Sequence, residues 1–319
     1  MEKAEIIALL HKAIQSEHMA IVQYLLHAYR MGEGEMAAEI EAIAREEMRH
    51  FDWLSELVVE LGGKPTVVRD KLYGVVDDVA QNMRFDVQAE MDAVAMYRRY
   101  IELIDDAKIQ LLLSRILSDE ESHLEDFQGF VAKAERGATV GSEGEVSAEG
   151  AASPKPPARI AQILKMGIEH EYTVILQYLY HRYLMPDCEV GNELEMQTIN
   201  EMQHLGWLSE ELVSVGGEAE MEHTPLALEG DAEDMLKADI AAEQAVTAAY
   251  SRQIPEIDDP DLRTLVARIR DHEIYHAEVF KGLLDEIEAQ EHKGEEPAPS
   301  PTPKTRPPSV GNLFGQKQD

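Results

Sequence analysis

The sequence predicts an all-α fold made of two tandem four-helix bundles. Three observations carry the prediction. Apolar residues recur every three or four positions through eight long segments, the period of one helix face. Glycine pairs and prolines mark the breaks between segments. The first half of the chain also returns in the second. "QYLLH" at 23–27 reappears as "QYLYH" at 177–181, and "WLSE" at 53–56 reappears at 207–210, both at an offset of 154. "AEMDAV" at 89–94 corresponds to "AEQAV" at 242–246, and from there the offset is 153.

In the first copy the periodicity predicts helices at 3–31, 35–61, 76–105 and 108–133. In the second it predicts 157–185, 191–215, 231–254 and 260–289. Gly32 and Gly34 break the first pair. Gly62-Gly63 and Gly216-Gly217 end the second helix of each copy, where glycine takes the left-handed conformation at little cost. Pro255 and Pro260 separate the last two helices. The domains are read as 1–135 and 158–290. The linker at 136–157 is rich in Gly, Ser, Ala, Glu and Pro, and the tail at 291–319 is Pro-rich, a composition that favours an extended spacer.

Composition excludes several classes. Acidic residues outnumber basic ones 62 to 29, and a formal charge of -33 is wrong for a nucleic-acid binder, which needs Lys and Arg for phosphate. The single cysteine, Cys188, rules out an internal disulfide framework, a four-cysteine zinc site and a rubredoxin-type iron site within this chain. Residues 1–30 lack a basic leader with an apolar run, and no stretch approaches the roughly 20 apolar residues of a membrane span. The expectation is a soluble cytoplasmic protein.

The informative residues are polar ones inside the apolar stripes. On the first helix, Leu10, Ile14, Ile21, Tyr24 and Ala28 keep helical spacing only if Glu17 joins them. The second stripe carries Glu47 and His50, the third Glu90, the fourth Glu120 and His123. The second copy repeats the order with Glu171, Glu201 and His204, Glu243, then Glu273 and His276. Four buried carboxylates together are very costly unless something compensates them. Two divalent cations would balance four Glu, with two imidazoles completing the ligand set. One Glu from each of two helices plus Glu-x-x-His from the other two is the ligand pattern of di-iron and di-manganese bundles. A bundle with polar core networks and no metal is the alternative, and the buried charge weighs against it. A fifth Glu-x-x-His, Glu220 to His223, breaks the repeat and reads as chance.

At these residues the chain resembles bacterioferritin, a ferritin-like family. "SEHMAIVQYLLHAYRM" at 16–31 is similar to that family's first helix, "EEMRH" at 46–50 and "NEMQH" at 200–204 to its second-helix motif, "EDMLKADIAAEQAV" at 233–246 to its third helix and "RILSDEESH" at 115–123 to its fourth. The resemblance implies two ferritin-like four-helix bundles, each holding two iron ions. Glu47, Glu120, Glu201 and Glu273 would bridge the irons. Glu17, Glu90, Glu171 and Glu243 would be terminal carboxylates, and His50, His123, His204 and His276 the nitrogen ligands. Met48 and Met202 match the place where that family ligates haem b between two subunits, although methionine there is also an ordinary packing residue. Tyr24 and Tyr178 fit either a redox role near the metals or core packing. Neither copy shows a short fifth helix and the two copies are fused, which argues against a standard self-assembled cage.

The tail ends in Ser309-Val310-Gly311-Asn312-Leu313-Phe314-Gly315, an apolar patch after a polar proline spacer. Val310, Leu313 and Phe314 would anchor a linear docking peptide. The stretch resembles the cargo-loading peptides of encapsulin systems, which implies a shell protein as partner and residence inside an encapsulin nanocompartment. The expected function is oxidation of Fe(II) by dioxygen or hydrogen peroxide for iron storage. The alternatives are a rubrerythrin-like peroxidase and a non-enzymatic iron buffer; manganese instead of iron and homo-oligomer formation stay open.

Overall fold

The computed structural model describes residues 1–137, 158–185 and 189–291. Nearly all of the predicted linker and tail, with Cys188, Val310, Leu313 and Phe314, lies outside the described residues. The chain divides into two compact units, Met1–Pro154 and Lys155–Asp319. The described residues form eight α-helices and one short 3-10 turn, with no strand among them, as the sequence predicts.

The first unit holds α1 (Lys3–Met31), α2 (Glu35–Glu60), α3 (Val79–Leu103) and α4 (Ala107–Glu135). The second holds α5 (Ala158–Leu184), α6 (Glu189–Ser214), α7 (Ala232–Gln253) and α8 (Pro260–Glu291). In each, the first helix packs along the second and the third along the fourth, and the first also meets the third. Apolar stripes face inward: Leu10, Ile14, Ile40, Leu54, Met83, Leu113, Ile116 and Phe127 are fully buried in the first unit. Leu164, Ile168, Leu194, Leu208, Leu236, Ile269 and Phe280 do the same in the second. Each such side chain contributes about 1.5–3 kcal/mol by leaving water.

Helix ends follow local chemistry. Gly62 and Gly216 have φ of 87° and 82°, the left-handed conformation that stops α2 and α6. Asp106 caps α4 by accepting from the Lys108 and Ile109 amides. The predicted start of the third helix at 76 is too early. Asn82 turns its side chain back and bonds both the amide and the carbonyl of Val76, at 2.9 and 2.8 Å, and Asp78 then caps α3 by accepting from Gln81 N. Residues 76–78 are thereby held outside the helix.

The long connection after α2 lies against α1. The Asp70 amide donates to the Gln15 carbonyl at 3.0 Å, His11 Nε2 meets the Lys64 carbonyl at 2.8 Å, and Val67 is buried. In the second unit the connection after α6 does the same, with the Thr224 amide donating to Thr173 Oγ1 at 3.0 Å and Ala219 and Met221 buried. This cover explains why α1 and α5 are buried over most of their circumference beyond one stripe. No described helix is long and apolar enough to cross a membrane.

Candidate metal centres

Halfway along each bundle, the inward polar residues meet. In the first unit two groups form: Glu17, Glu47, His50 and Glu120, and Glu47, Glu90, Glu120 and His123. One ligand atom from each member lies within 4.8 Å of the others, and every member is buried. Glu47 and Glu120 belong to both groups. The second unit repeats this with Glu171, Glu201, His204 and Glu273, and with Glu201, Glu243, Glu273 and His276, sharing Glu201 and Glu273. All twelve sequence-selected ligand candidates are thus brought together, six in each bundle. Glu220 and His223 stay outside, exposed on the connection after α6; Glu220 pairs with Lys165 and His223 Nδ1 meets the Thr224 carbonyl.

Why these side chains converge follows from helical geometry. Glu and His three residues apart share a face, so α2 and α4 each send a carboxylate and an imidazole inward, while α1 and α3 each send one carboxylate. His50 Nδ1 stands 2.9 Å from Glu47 Oε2, 2.9 Å from Glu120 Oε1 and 3.5 Å from Glu17 Oε2. His123 Nδ1 stands 2.9 Å from Glu47 Oε1. In the second unit His204 Nδ1 is 2.8 Å from Glu201 Oε2 and 3.1 Å from Glu273 Oε1, and His276 Nδ1 is 2.6 Å from Glu201 Oε1.

Those spacings fit hydrogen bonds, which His50–Glu47 and His204–Glu201 make, and equally the ligands of a shared ion; the unsatisfied atoms decide between them. Glu47 Oε1, Glu90 Oε2, Glu120 Oε1 and His123 Nδ1 are buried without a hydrogen-bond partner, and so are Glu171 Oε2, Glu201 Oε1, Glu243 Oε2, both Glu273 oxygens and His276 Nδ1. Several are close neighbours yet lack hydrogen-bond alignment. Ligands ~2.1 Å from one ion at right angles stand ~3 Å apart, which is the spacing seen. Orphaned buried polar atoms are rare in folded proteins, and a shared cation accounts for this set at once.

Electrostatics of the metal-free cluster point the same way. Burial pushes Glu17, Glu90, Glu171 and Glu243 well above the ordinary carboxylate range, and the neighbouring glutamates add to it. Burial also acts on Glu47 and Glu201, but His123 and His50 in one case, His204 and His276 in the other, more than offset it and hold both low. Against its own burial, His123 is pushed up to about 10 by Glu47 and Glu46. By the same means His204 reaches about 12 and His276 about 9. Without a metal, burial and the neighbouring charges favour protons on the outer glutamates and on the histidines.

Outer groups brace the ligands. The Tyr97 hydroxyl donates to Glu17, and Tyr24 to Glu90 at 2.5 Å. Tyr178 donates to Glu243, and Tyr250 to Glu171 at 2.9 Å. Tyr24 and Tyr178 are legible from their sequence position; Tyr97 and Tyr250 are not, because a buried tyrosine shows no sign in the sequence of where its hydroxyl ends. His50 Nε2 meets Asp119 Oδ2 at 3.3 Å, and His123 Nε2 meets Glu46 Oε2 at 3.0 Å. The chain's two tryptophans sit beside ligand histidines: Trp53 has its ring 5.9 Å from His50, and Trp207 has its ring 5.8 Å from His204. Arg115 and Arg268 cover the two indoles at 5.1 and 4.9 Å. Met48 and Met202 follow Glu47 and Glu201 on their helices, half-buried, and belong to neither cluster.

The family model alone matches both halves. The sequence model of the ferritin-like domain matches residues 7–137 and again 161–289. A bacterioferritin of Desulfovibrio desulfuricans is 31% identical over 128 residues, 38% of this chain and 72% of that protein. One from Streptomyces coelicolor is 31% identical over 127 residues, 38% of this chain and 76% of that protein. The solved D. desulfuricans bacterioferritin, described with a diiron site in different catalytic states, aligns with a TM-score of 0.42 at 27% identity, covering 47% of this chain and 96% of that one. With one domain model matching both bundles, the chain belongs to the ferritin-like family and carries its domain twice.

Proposed function

We propose that the protein is a ferroxidase with two di-iron sites, in which Fe(II) is the substrate. The observation that carries this is the overlap of the two ligand groups in each bundle. Glu47 and Glu120, or Glu201 and Glu273, stand in both groups and would bridge two ions, with Glu17, His50, Glu90 and His123 or Glu171, His204, Glu243 and His276 as terminal ligands. Bridging holds two ions where one oxidant meets both. Two Fe(II) ions release two electrons, enough to reduce one dioxygen to hydrogen peroxide or one hydrogen peroxide to water. The relationship to bacterioferritins supports iron storage as the purpose.

In this reading the protein's own groups set the geometry. Glu17 and Glu90 are held by the hydroxyls of Tyr97 and Tyr24, and Glu171 and Glu243 by those of Tyr250 and Tyr178. One helical turn from the ligands Glu17, His50, Glu120 and His123, the apolar side chains Ile14, Leu54, Ile116 and Phe127 are fully buried. Haem b at Met48 and Met202 belongs to the same proposal; both residues are half-buried rather than sealed in the core. Its check is a Soret band in protein purified from haem-replete cells. The docking peptide at Val310, Leu313 and Phe314 would deliver the chain to an encapsulin shell, and deletion of 309–319 should end co-purification with a shell protein.

The main test loads metal-free protein with Fe(II) under anaerobic conditions, then mixes it with dioxygen or hydrogen peroxide and follows ferric absorbance. Fast oxidation should saturate near four irons per chain, two for each six-residue cluster, and resume when more Fe(II) is added. Replacing Glu47 and Glu201 together by Ala should abolish the fast phase while leaving helical content intact. Fast oxidation in that double variant would overturn the assignment. Oxidation by peroxide alone would make the protein a peroxidase instead.

A further inference from the structure

The two clusters have identical inner residues and different residues directly behind them. In the first unit the outward nitrogens of both ligand histidines rest on carboxylates: His50 Nε2 on Asp119 at 3.3 Å, His123 Nε2 on Glu46 at 3.0 Å. Each acid immediately precedes a shared glutamate, Asp119 before Glu120 and Glu46 before Glu47. At the repeat offsets of 153 and 154, the second unit has His272 and Asn200 in their places. There His204 Nε2 meets His272 Nδ1 at 2.9 Å, and Asn200 gives its amide N–H to Gln197 Oε1 at 3.0 Å.

We propose that Asp119 and Glu46 are positioning residues that make the first bundle the tighter metal-pair site, while His272 and Asn200 leave the second bundle the weaker one. The proposal rests on reading both clusters as metal-pair sites. Once Nδ1 of a ligand histidine is on a metal, its Nε2 keeps a proton and donates outward. A carboxylate acceptor fixes the ring, draws on that N–H and so makes Nδ1 a stronger donor to the metal. It also adds negative charge near two cations. A neutral imidazole acceptor such as His272 holds the ring but adds no charge. Asn200 is committed to Gln197 in its own helix. Outer partners of this kind change metal affinity by about 10- to 100-fold, so two carboxylate partners on one site against a single neutral imidazole partner on the other separate the two bundles by at least the lower figure.

The chain supplies its own readout, because its only two indoles lie one beside each cluster. In W207F the remaining fluorescence reports the first site, and in W53F the second. Metal-free forms of both are titrated with Co(II), a paramagnetic quencher that dioxygen does not oxidise readily on nitrogen and oxygen ligands. The first site should quench at about 10- to 100-fold lower Co(II) than the second. Adding D119H and E46N to W207F should move its curve to higher Co(II). Adding H272D and N200E to W53F should move its curve to lower Co(II), a gain that damaged packing cannot produce. Coincident curves that neither exchange shifts would overturn the proposal, as would tighter binding at the second site. If neither indole responds, or if the responses survive E47A and E201A, the metal-site reading itself falls. That outcome is distinct from two equal sites.

Discussion

Each bundle buries two polar clusters, and they solve the same problem in opposite ways. In the first unit, Gln23, His27 and Asp86 are all fully buried away from the Glu–His cluster. Gln23 Nε2 donates to Asp86 Oδ1 at 2.8 Å, and its Oε1 accepts from the Tyr73 amide at 2.8 Å. His27 Nδ1 meets Asp86 Oδ2 at 2.8 Å, and its Nε2 meets the Gly74 carbonyl at 2.9 Å. The second unit repeats this with Gln177, His181 and Asp239, closed on Ala227. Every polar side-chain atom of these networks has a protein partner. The Glu–His clusters, buried as deeply, leave ligand atoms orphaned. Burial of a polar group is equally costly in both places. In the networks the protein supplies the compensation itself, so they serve the fold by tying α1, α3 and the connecting segment together. In the clusters it leaves part of that compensation unmade, as the proposed metal sites require.

The largest effect that would test the contrast is removal of Asp86 or Asp239. Breaking a buried pair strands its partner and costs about 3–5 kcal/mol. Asp86→Ala and Asp239→Ala should each lower the stability of their own bundle by that amount in chemical denaturation, with or without metal. A loss that appeared only in the metal-loaded protein would mean the network belongs to the site, and the contrast would be wrong.

A second measurement separates the two kinds of cluster by pH. Glu17, Glu90, Glu171 and Glu243 have folded pKa values raised above their unfolded values, chiefly by burial. So do the histidines, with His276 at about 9, His123 at about 10 and His204 at about 12. A raised pKa gives stability that is complete below the unfolded value and disappears as pH climbs through the folded one. For the glutamates the loss starts near 4.5, and for the histidines near 6.5. Glu47 and Glu201, held low, act in reverse and cost stability only on acidification. Metal-free protein should therefore lose thermal stability between pH 6.5 and about 9. The fall should reach at least about 4 °C, which ~1 kcal/mol produces in a domain of this size. Protein loaded with Zn(II) should stay flat over that window, because cations replace the protons. Parallel curves for the two forms would count against the clusters as the metal sites.

How much of this the sequence discloses depends on where a residue sits relative to a period. Glu17 or Glu120 in a stripe of isoleucine and leucine is legible, because helical geometry forces it inward and charge makes it conspicuous. Asp86 was not: the stripe on α3 runs through Val87 on paper, yet Val87 is only half-buried while Asp86 is sealed. The neighbour that seals it, the 62–78 segment, has no periodicity to read. Asp119 and Glu46 were equally hidden, since one more acid in "SDEESH" or "EEMRH" looks like solvated surface until the ring behind it is placed. α3 starts later than its period implies because a side chain, Asn82, competes with the backbone for Val76.

The smallest effect concerns the border between packing and site. Position 167 on α5 matches Ala13 on α1, which is fully buried with Tyr97 still bonded to Glu17. At Gly167 there is no such room: an added Cβ would lie 2.7 Å from the Tyr250 hydroxyl and 2.8 Å from Leu208 Cδ1. A leucine methyl turns aside cheaply, but a phenol is rigid and moves as a whole, so Tyr250 would be drawn off Glu171, its partner at 2.9 Å. Glycine to alanine inside a helix gains about 1 kcal/mol in propensity, against about 1–3 kcal/mol for overpacking. Gly167→Ala should therefore be neutral to about 2 kcal/mol destabilising in the metal-free protein, and it should also weaken Co(II) binding at the second cluster alone. A gain of stability with Co(II) binding unchanged would show that Tyr250 packs beside the site without bracing it. The two bundles would then share their ligands but not the means of holding them.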